Sequence, residues 1–151
     1  MAFNLSNLNP PTRFYWGEER KSAEEIKAIP ESEREWVELR LVPDSVQSQI
    51  RKECGIVRKS EYRADKAGRP NRIDFLDASD ENLVRFNDKL NDYSIPSWHL
   101  LDGSGGEIPC TSENKKILLG GEPRFAKWIN EKLESLGDLS HEKKREGLEN
   151  L

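Results

Sequence analysis

Cysteine and histidine are scarce in this sequence. Its 151 residues include two cysteines, Cys54 and Cys110, and two histidines, His99 and His141. Two cysteines make no disulfide framework, so the expectation is two reduced thiols in a cytosolic protein. Neither histidine neighbours a cysteine or the other histidine, and no zinc-ligand spacing exists. No metal and no cofactor are expected. No run approaches the ~18 apolar residues of a membrane span. The opening Met1-Ala2-Phe3-Asn4-Leu5-Ser6-Asn7 has neither a basic stretch nor an apolar one, and no signal peptide is expected. Internal repeats and low-complexity tracts are absent. The formal charge of −4 is mild and points to no class of partner.

Charge is abundant. Charged residues make up 34% of the chain, against roughly 25% in an average domain. Hydrophobic residues are also 34%, which predicts a thin core with long solvated segments. Four Trp, five Phe and three Tyr argue against full disorder. The length suits one domain, or one domain with tails. The expected organisation is an N-terminal arm over residues 1–35, a single globular domain over 36–137 and a charged C-terminal tail over 138–151. The tail is expected to fray.

Local patterns divide the chain further. Asn9-Pro10-Pro11-Thr12 predicts an extended turn. Phe14-Tyr15-Trp16 is an apolar knot in polar surroundings, expected to dock on the body because exposed aromatic clusters aggregate. Residues 22–28 predict a short helix stopped before Pro30. Over 36–42, Val37, Leu39 and Leu41 alternate with Glu38 and Arg40, the mark of a half-buried strand. Asp44 with Gln47 suggests a capping box for a helix that Gly55 would stop. Residues 56–62 and 73–76 predict a hairpin around Ala67-Gly68-Arg69-Pro70-Asn71. Ser79-Asp80-Glu81-Asn82 opens a helix with Leu83, Phe86, Leu90 and Tyr93 on one stripe. Residues 94–109 read as a connector with an Asp102–Gly106 turn. Thr111-Ser112 caps a helix through Leu119 that Gly120-Gly121 would end. Pro123 opens the last helix, with Phe125, Trp128, Ile129 and Leu133 inward, Leu136 at its end and Gly137 as its stop. The predicted fold class is α+β and mainly helical, with a small antiparallel sheet built from the 36–42 strand and the 56–76 hairpin.

Catalytic constellations are missing. Cys110 and His99 would make a nucleophile–base pair only with an orienting third group, which nothing in the sequence supplies. Asp102, Glu107 and Glu113 read as turn and cap residues. Asp102-Gly103-Ser104-Gly105-Gly106 lacks the Gly-Lys-Ser/Thr ending of a phosphate loop. Arg51, Lys52, Arg58, Lys59, Arg63, Lys66, Arg69 and Arg72 make the centre of the chain locally basic, with Tyr62 among them. They suit either a solvated face or contacts to phosphates or an acidic protein.

One ordered series of motifs resembles a known family. Tyr93-Ser94-Ile95-Pro96-Ser97-Trp98-His99-Leu100-Leu101-Asp102 leads to Gly106-Glu107-Ile108-Pro109-Cys110-Thr111-Ser112-Glu113-Asn114. A Leu-rich helix and Glu122-Pro123-Arg124-Phe125-Ala126-Lys127-Trp128-Ile129 follow. Over residues 91–136 this order resembles the tail assembly chaperones of tailed bacteriophages. The resemblance implies a non-enzymatic protein of the bacterial host cytoplasm. Its implied partner is a tape-measure-like or tail-tube client during virion assembly. Candidate partner-facing groups are Phe14 and Trp16 on the arm and Phe125, Trp128, Ile129 and Leu133 on the last helix, although for each residue plain core packing is the favoured expectation. In the proteins it resembles, ribosomal slippage near the gene's end yields a longer product, and Lys143-Lys144 would suit an A-rich slippery run. The alternative is a phage-encoded nucleic-acid-binding or regulatory protein acting through the basic region 51–72.

Overall fold

The structure, a computed structural model, describes residues 9–149, with side chains through residue 138. In chain order the elements are β1 (Thr12–Tyr15), α1 (Ala23–Lys27), a 3-10 turn (Glu31–Glu33), β2 (Trp36–Leu39), α2 (Asp44–Glu53), β3 (Val57–Ala64), β4 (Pro70–Asp77), α3 (Asp80–Ser94), β5 (Ser97–Leu101), β6 (Glu107–Ile108), α4 (Ser112–Gly121) and α5 (Pro123–Glu149). The class is α+β, mainly helical, with small antiparallel sheets. The chain divides into two compact units, residues 1–41 with 91–151, and residues 42–90. No described helix is long and apolar enough to cross a membrane.

The first unit is built on a four-stranded sheet of order β1-β2-β5-β6, antiparallel throughout. Alternation sorts its residues onto two faces. Val37 lies opposite both Phe14 and Trp98, and Leu100 opposite Ile108. These residues turn one way and meet Phe125, Trp128 and Ile129 of α5 in the main core. Trp16 packs edge-on against Phe125 and Trp128, with centroids 5.4 and 5.1 Å apart. The arm therefore docks, and it does so as a strand, which its proline-led, aromatic-rich sequence did not predict.

The opposite face is polar and aromatic. Arg13 pairs with Glu38 at 2.9 Å, and its guanidinium lies 3.7 Å over the Trp36 ring. Trp36 stacks in turn on His99. Arg34 lies 3.8 Å over Tyr15 and pairs with Glu18.

The second unit has a smaller core. Ile50, Cys54 and Ile56 are buried, with Val46, Ala78, Phe86 and Leu90 packed against them. Lys89 bridges to Glu53 at 3.0 Å. Strands β3 and β4 pair through eight consecutive registers, from Val57 with Asp77 to Ala64 with Pro70. They form a sheet of their own and do not join β2. This corrects the expectation that the 36–42 strand and the hairpin share one sheet. The partners of β2 are the arm and the stretch around Trp98.

Several boundaries moved. Thr111 caps its helix as expected, accepting from Asn114 N at 3.2 Å, and Ser22 caps α1 by accepting from Glu25 N at 3.2 Å. Asp44 does not cap α2. Pro43 holds the extended cap position, and no side chain bonds to that helix start. Gly120 and Gly121 lie inside α4, and Gly137 lies inside α5, which continues to Glu149. None of these three glycines has a positive φ, so none takes the left-handed conformation that ends helices. Leu83 lies at the exposed edge of its stripe. Leu133 is only partly buried, so truncating it would not reach the cost of a fully buried leucine.

Candidate functional site

The six expected partner-facing residues come together, but in the core. Phe125, Trp128 and Ile129 are buried, and Phe14, Trp16 and Leu133 pack against them. The Trp128 indole donates to Glu19, and Lys132 lies 3.7 Å from the same carboxylate. This cluster holds the arm, the sheet and α5 together.

The motif residues of the resemblance also contact one another. The Trp98 indole donates to Ile108 O at 2.8 Å. Asp102 Oδ1 accepts from Ser104 N, Ser104 Oγ and Gly106 N at 2.7–3.0 Å, which closes the β5–β6 turn. Those donors hold the Asp102 carboxyl below its usual range. Gly105 has φ +84°, a conformation that favours glycine. Asn114 Nδ2 reaches back to Pro109 O at 2.9 Å. Each contact is structural.

His99 and Cys110 are engaged separately. His99 Nε2 lies 2.9 Å from Ser32 O, and Nδ1 lies 3.3 Å from Glu107. Both neighbours accept hydrogen bonds, so they favour the doubly protonated ring and raise its pKa, with Ser32 the larger cause. Cys110 packs against the main core, and burial pushes its thiol up. A raised thiol pKa leaves little thiolate at neutral pH. Among the described residues no three His, Cys, Asp or Glu side chains converge where a metal ion would sit. His141, Lys143 and Lys144 lie beyond the described side chains.

The eight basic residues do not make one patch. Arg51 and Lys52 end α2, and Lys66 and Arg69 lie in the β3–β4 turn. Arg58 and Arg72 share one face of the β3–β4 ribbon with Tyr62, and Lys59 and Arg63 share the other. Most of the ribbon's acids are answered internally. Asp77 pairs with Lys59 at 2.5 Å, Glu61 with Arg63 at 3.2 Å and Asp74 with Arg72 at 3.0 Å. Asp65 accepts from Ala67 N and Arg69 N in the turn.

The ribbon is also apolar where it meets solvent. Tyr62 is 72% exposed, Val57 52%, Leu76 50% and Phe75 37%. A groove along it is lined by Arg58, Ser60, Arg72, Asp74 and Leu76 among others. Sequence reasoning marked the cations and Tyr62 but not Val57, Phe75 and Leu76. Val57 and Phe75 lie on one face of the ribbon and Leu76 on the other, and among the described residues no covering layer buries either face. Compared with protein-family models, with curated proteins and with solved structures, the chain gives no match.

Proposed function

We propose that this chain is a tail assembly chaperone of a tailed bacteriophage. It is a non-enzymatic protein that holds a tape-measure-like or tail-tube client in the host cytoplasm during virion assembly. The resemblance over residues 91–136 motivates the family. The observation that carries the binding role is the ribbon, whose exposed Val57, Tyr62, Phe75 and Leu76 lie on a two-stranded sheet. A holding protein needs accessible apolar surface of modest affinity and no reacting groups. Phe14, Trp16, Phe125 and Trp128 are committed to the core. Of the exposed large apolar residues four lie on the ribbon, against Leu83 and Val84 on α3, Ile117 on α4 and Leu41, and the ribbon is read as the client-facing element.

The nucleic-acid reading has Arg58 and Tyr62 on one ribbon face in its favour. Against it, Asp74 lies on that same face with its side chain 69% exposed, where it would repel phosphate.

Co-expression with a long helical tape-measure protein encoded nearby tests the proposal. The expected result is a soluble complex that elutes with this chain. If the client stays equally insoluble and no complex elutes, the chaperone reading fails. Steep salt-dependent retention on DNA would then favour the basic region.

A further inference from the structure

We propose that the free edge of β3 receives an extended, acidic segment of the client as a third strand of the ribbon. This inference rests on the chaperone reading for the client's identity but not for the chemistry of the edge. A two-stranded hairpin is marginally stable alone, and three strands or a covering layer are the usual solution. Here β3 and β4 pair only with each other, and Ile73 is the one half-buried residue on the two strands.

The hydrogen-bond phase identifies the groups that are offered. Asp65 N donates to Arg69 O at 2.9 Å, one step beyond the Ala64–Pro70 pair. Antiparallel ladders alternate between bonded and non-bonded pairs. The bonded pairs therefore fall at Arg63–Asn71, Glu61–Ile73, Lys59–Phe75 and Val57–Asp77. Pro70, which has no N–H, falls at a non-bonded position, as this phase requires. The alternate residues Arg58, Ser60 and Tyr62 turn their N–H and C=O groups away from β4. These three residues give an added strand its backbone ladder.

Charge selects the occupant. Strand β3 carries Arg58, Lys59 and Arg63 against Glu61 alone, whereas β4 carries Arg72 against Asp74 and Asp77. The edge at β3 is thus the basic one. Arg58 has no ion-pair partner among the described residues. An added strand would place its side chains directly opposite those of β3, where opposite charges stabilise and like charges destabilise. A matching segment carries carboxylates opposite Arg58 and Arg63 and an apolar group beside Tyr62. A second copy of this chain pairing β3 with β3 would set one basic edge against another. One presenting its acidic β4 edge instead would show as self-association of the free chain, a result that would overturn the assignment to a client. A nucleic acid would leave the outward backbone groups of Arg58, Ser60 and Tyr62 without a ladder and Val57 facing water or phosphate. An acidic, partly apolar extended peptide satisfies the backbone, the charge and the apolar groups of β3, Val57 and Tyr62, together.

The test uses the full chain and a synthetic peptide of about eight residues with Glu at the positions opposite Arg58 and Arg63 and Val at those opposite Val57 and Tyr62. A lysine-for-glutamate counterpart and a DNA duplex serve as controls. The expected result is binding of the acidic peptide alone, with slowed amide exchange at Arg58, Ser60 and Tyr62. Ser60→Pro removes one outward N–H and leaves the β3–β4 backbone ladder and the net charge unchanged, while giving up the exposed Ser60 hydroxyl bonds to Asp74 and Arg72, and should weaken binding roughly tenfold or more. Should that variant lose the ribbon fold by circular dichroism, Arg58→Glu keeps the edge intact and should weaken binding several-fold. Equal binding by the folded variants and wild type would overturn the proposal. So would no exchange change at the three amides, or displacement of the peptide by the duplex. A co-expressed client retained equally by wild type and Ser60→Pro would sink the edge while leaving the chaperone reading standing. Peptide binding without any client complex would do the reverse.

Discussion

Trp98 donates its indole N–H to the Ile108 carbonyl at 2.8 Å, and only 3% of Trp98 is exposed. The bond joins β5 to β6 across the Asp102–Gly106 turn. It gives a physical reason for a tryptophan in the first half of the motif and an Ile-Pro in the second. Trp98→Phe keeps most of the apolar volume and removes the donor. It should cost about 1–3 kcal/mol, read as a lower urea midpoint, because a partly buried carbonyl loses its partner and the smaller ring leaves space in the core. A change under about half a kcal/mol would mean that water replaces the indole.

His99 should make stability depend on pH. Its pKa is raised in the folded state by Ser32 O and Glu107. The resulting stabilisation is fully present below the unfolded value, roughly 6.5, and is lost as pH rises through the folded value above it. Melting temperatures of wild type and His99→Gln should therefore differ most in mild acid and converge in alkali. A gap that widens with rising pH would contradict the assignment.

Lys115 and Asp92 make an asymmetric pair. The Lys115 side chain is 7% exposed and that of Asp92 41%, with 3.2 Å between them. Removing the carboxylate strands a buried ammonium, so Asp92→Ala should destabilise by about 1–3 kcal/mol, the partial exposure of Asp92 keeping it below the cost of a fully buried pair. Lys115→Met removes the charge that needs a partner and should cost less. Thermal unfolding of the two variants checks the order, and a larger loss for Lys115→Met would contradict it.

Gly137 lies inside α5, and a Cβ there would meet nothing within 4 Å. Gly137→Ala should stabilise by about 0.5–1 kcal/mol through helix propensity and a less mobile unfolded chain. A loss of stability in chemical denaturation would show that the glycine breaks the helix in solution.

Elements with a local signature were legible in the sequence. The Val37–Leu39 alternation marked β2, and Thr111 marked its helix start through a side chain that bonds within its own first turn. Strands β1, β5 and β6 were not legible. Thr12–Tyr15 becomes a strand because Phe14 meets Val37 from 23 positions away. Ser97–Leu101 is hidden between Pro96 and a glycine-rich turn. Helix ends misled for the same reason. Gly120, Gly121 and Gly137 are stops only where the backbone turns left-handed, and here it does not. At the ribbon, composition located the cations, but their division between two faces depended on the register of β3 with β4.

The central claim is that the ribbon holds a client, and amide hydrogen exchange on the full chain, free and in complex with a co-expressed tape-measure protein, tests it most directly. The account predicts slowed exchange at Arg58, Ser60 and Tyr62, with the amides of α5 around Phe125 and Trp128 unchanged. Protection at α5 with none on the ribbon, or no complex at all, would contradict it.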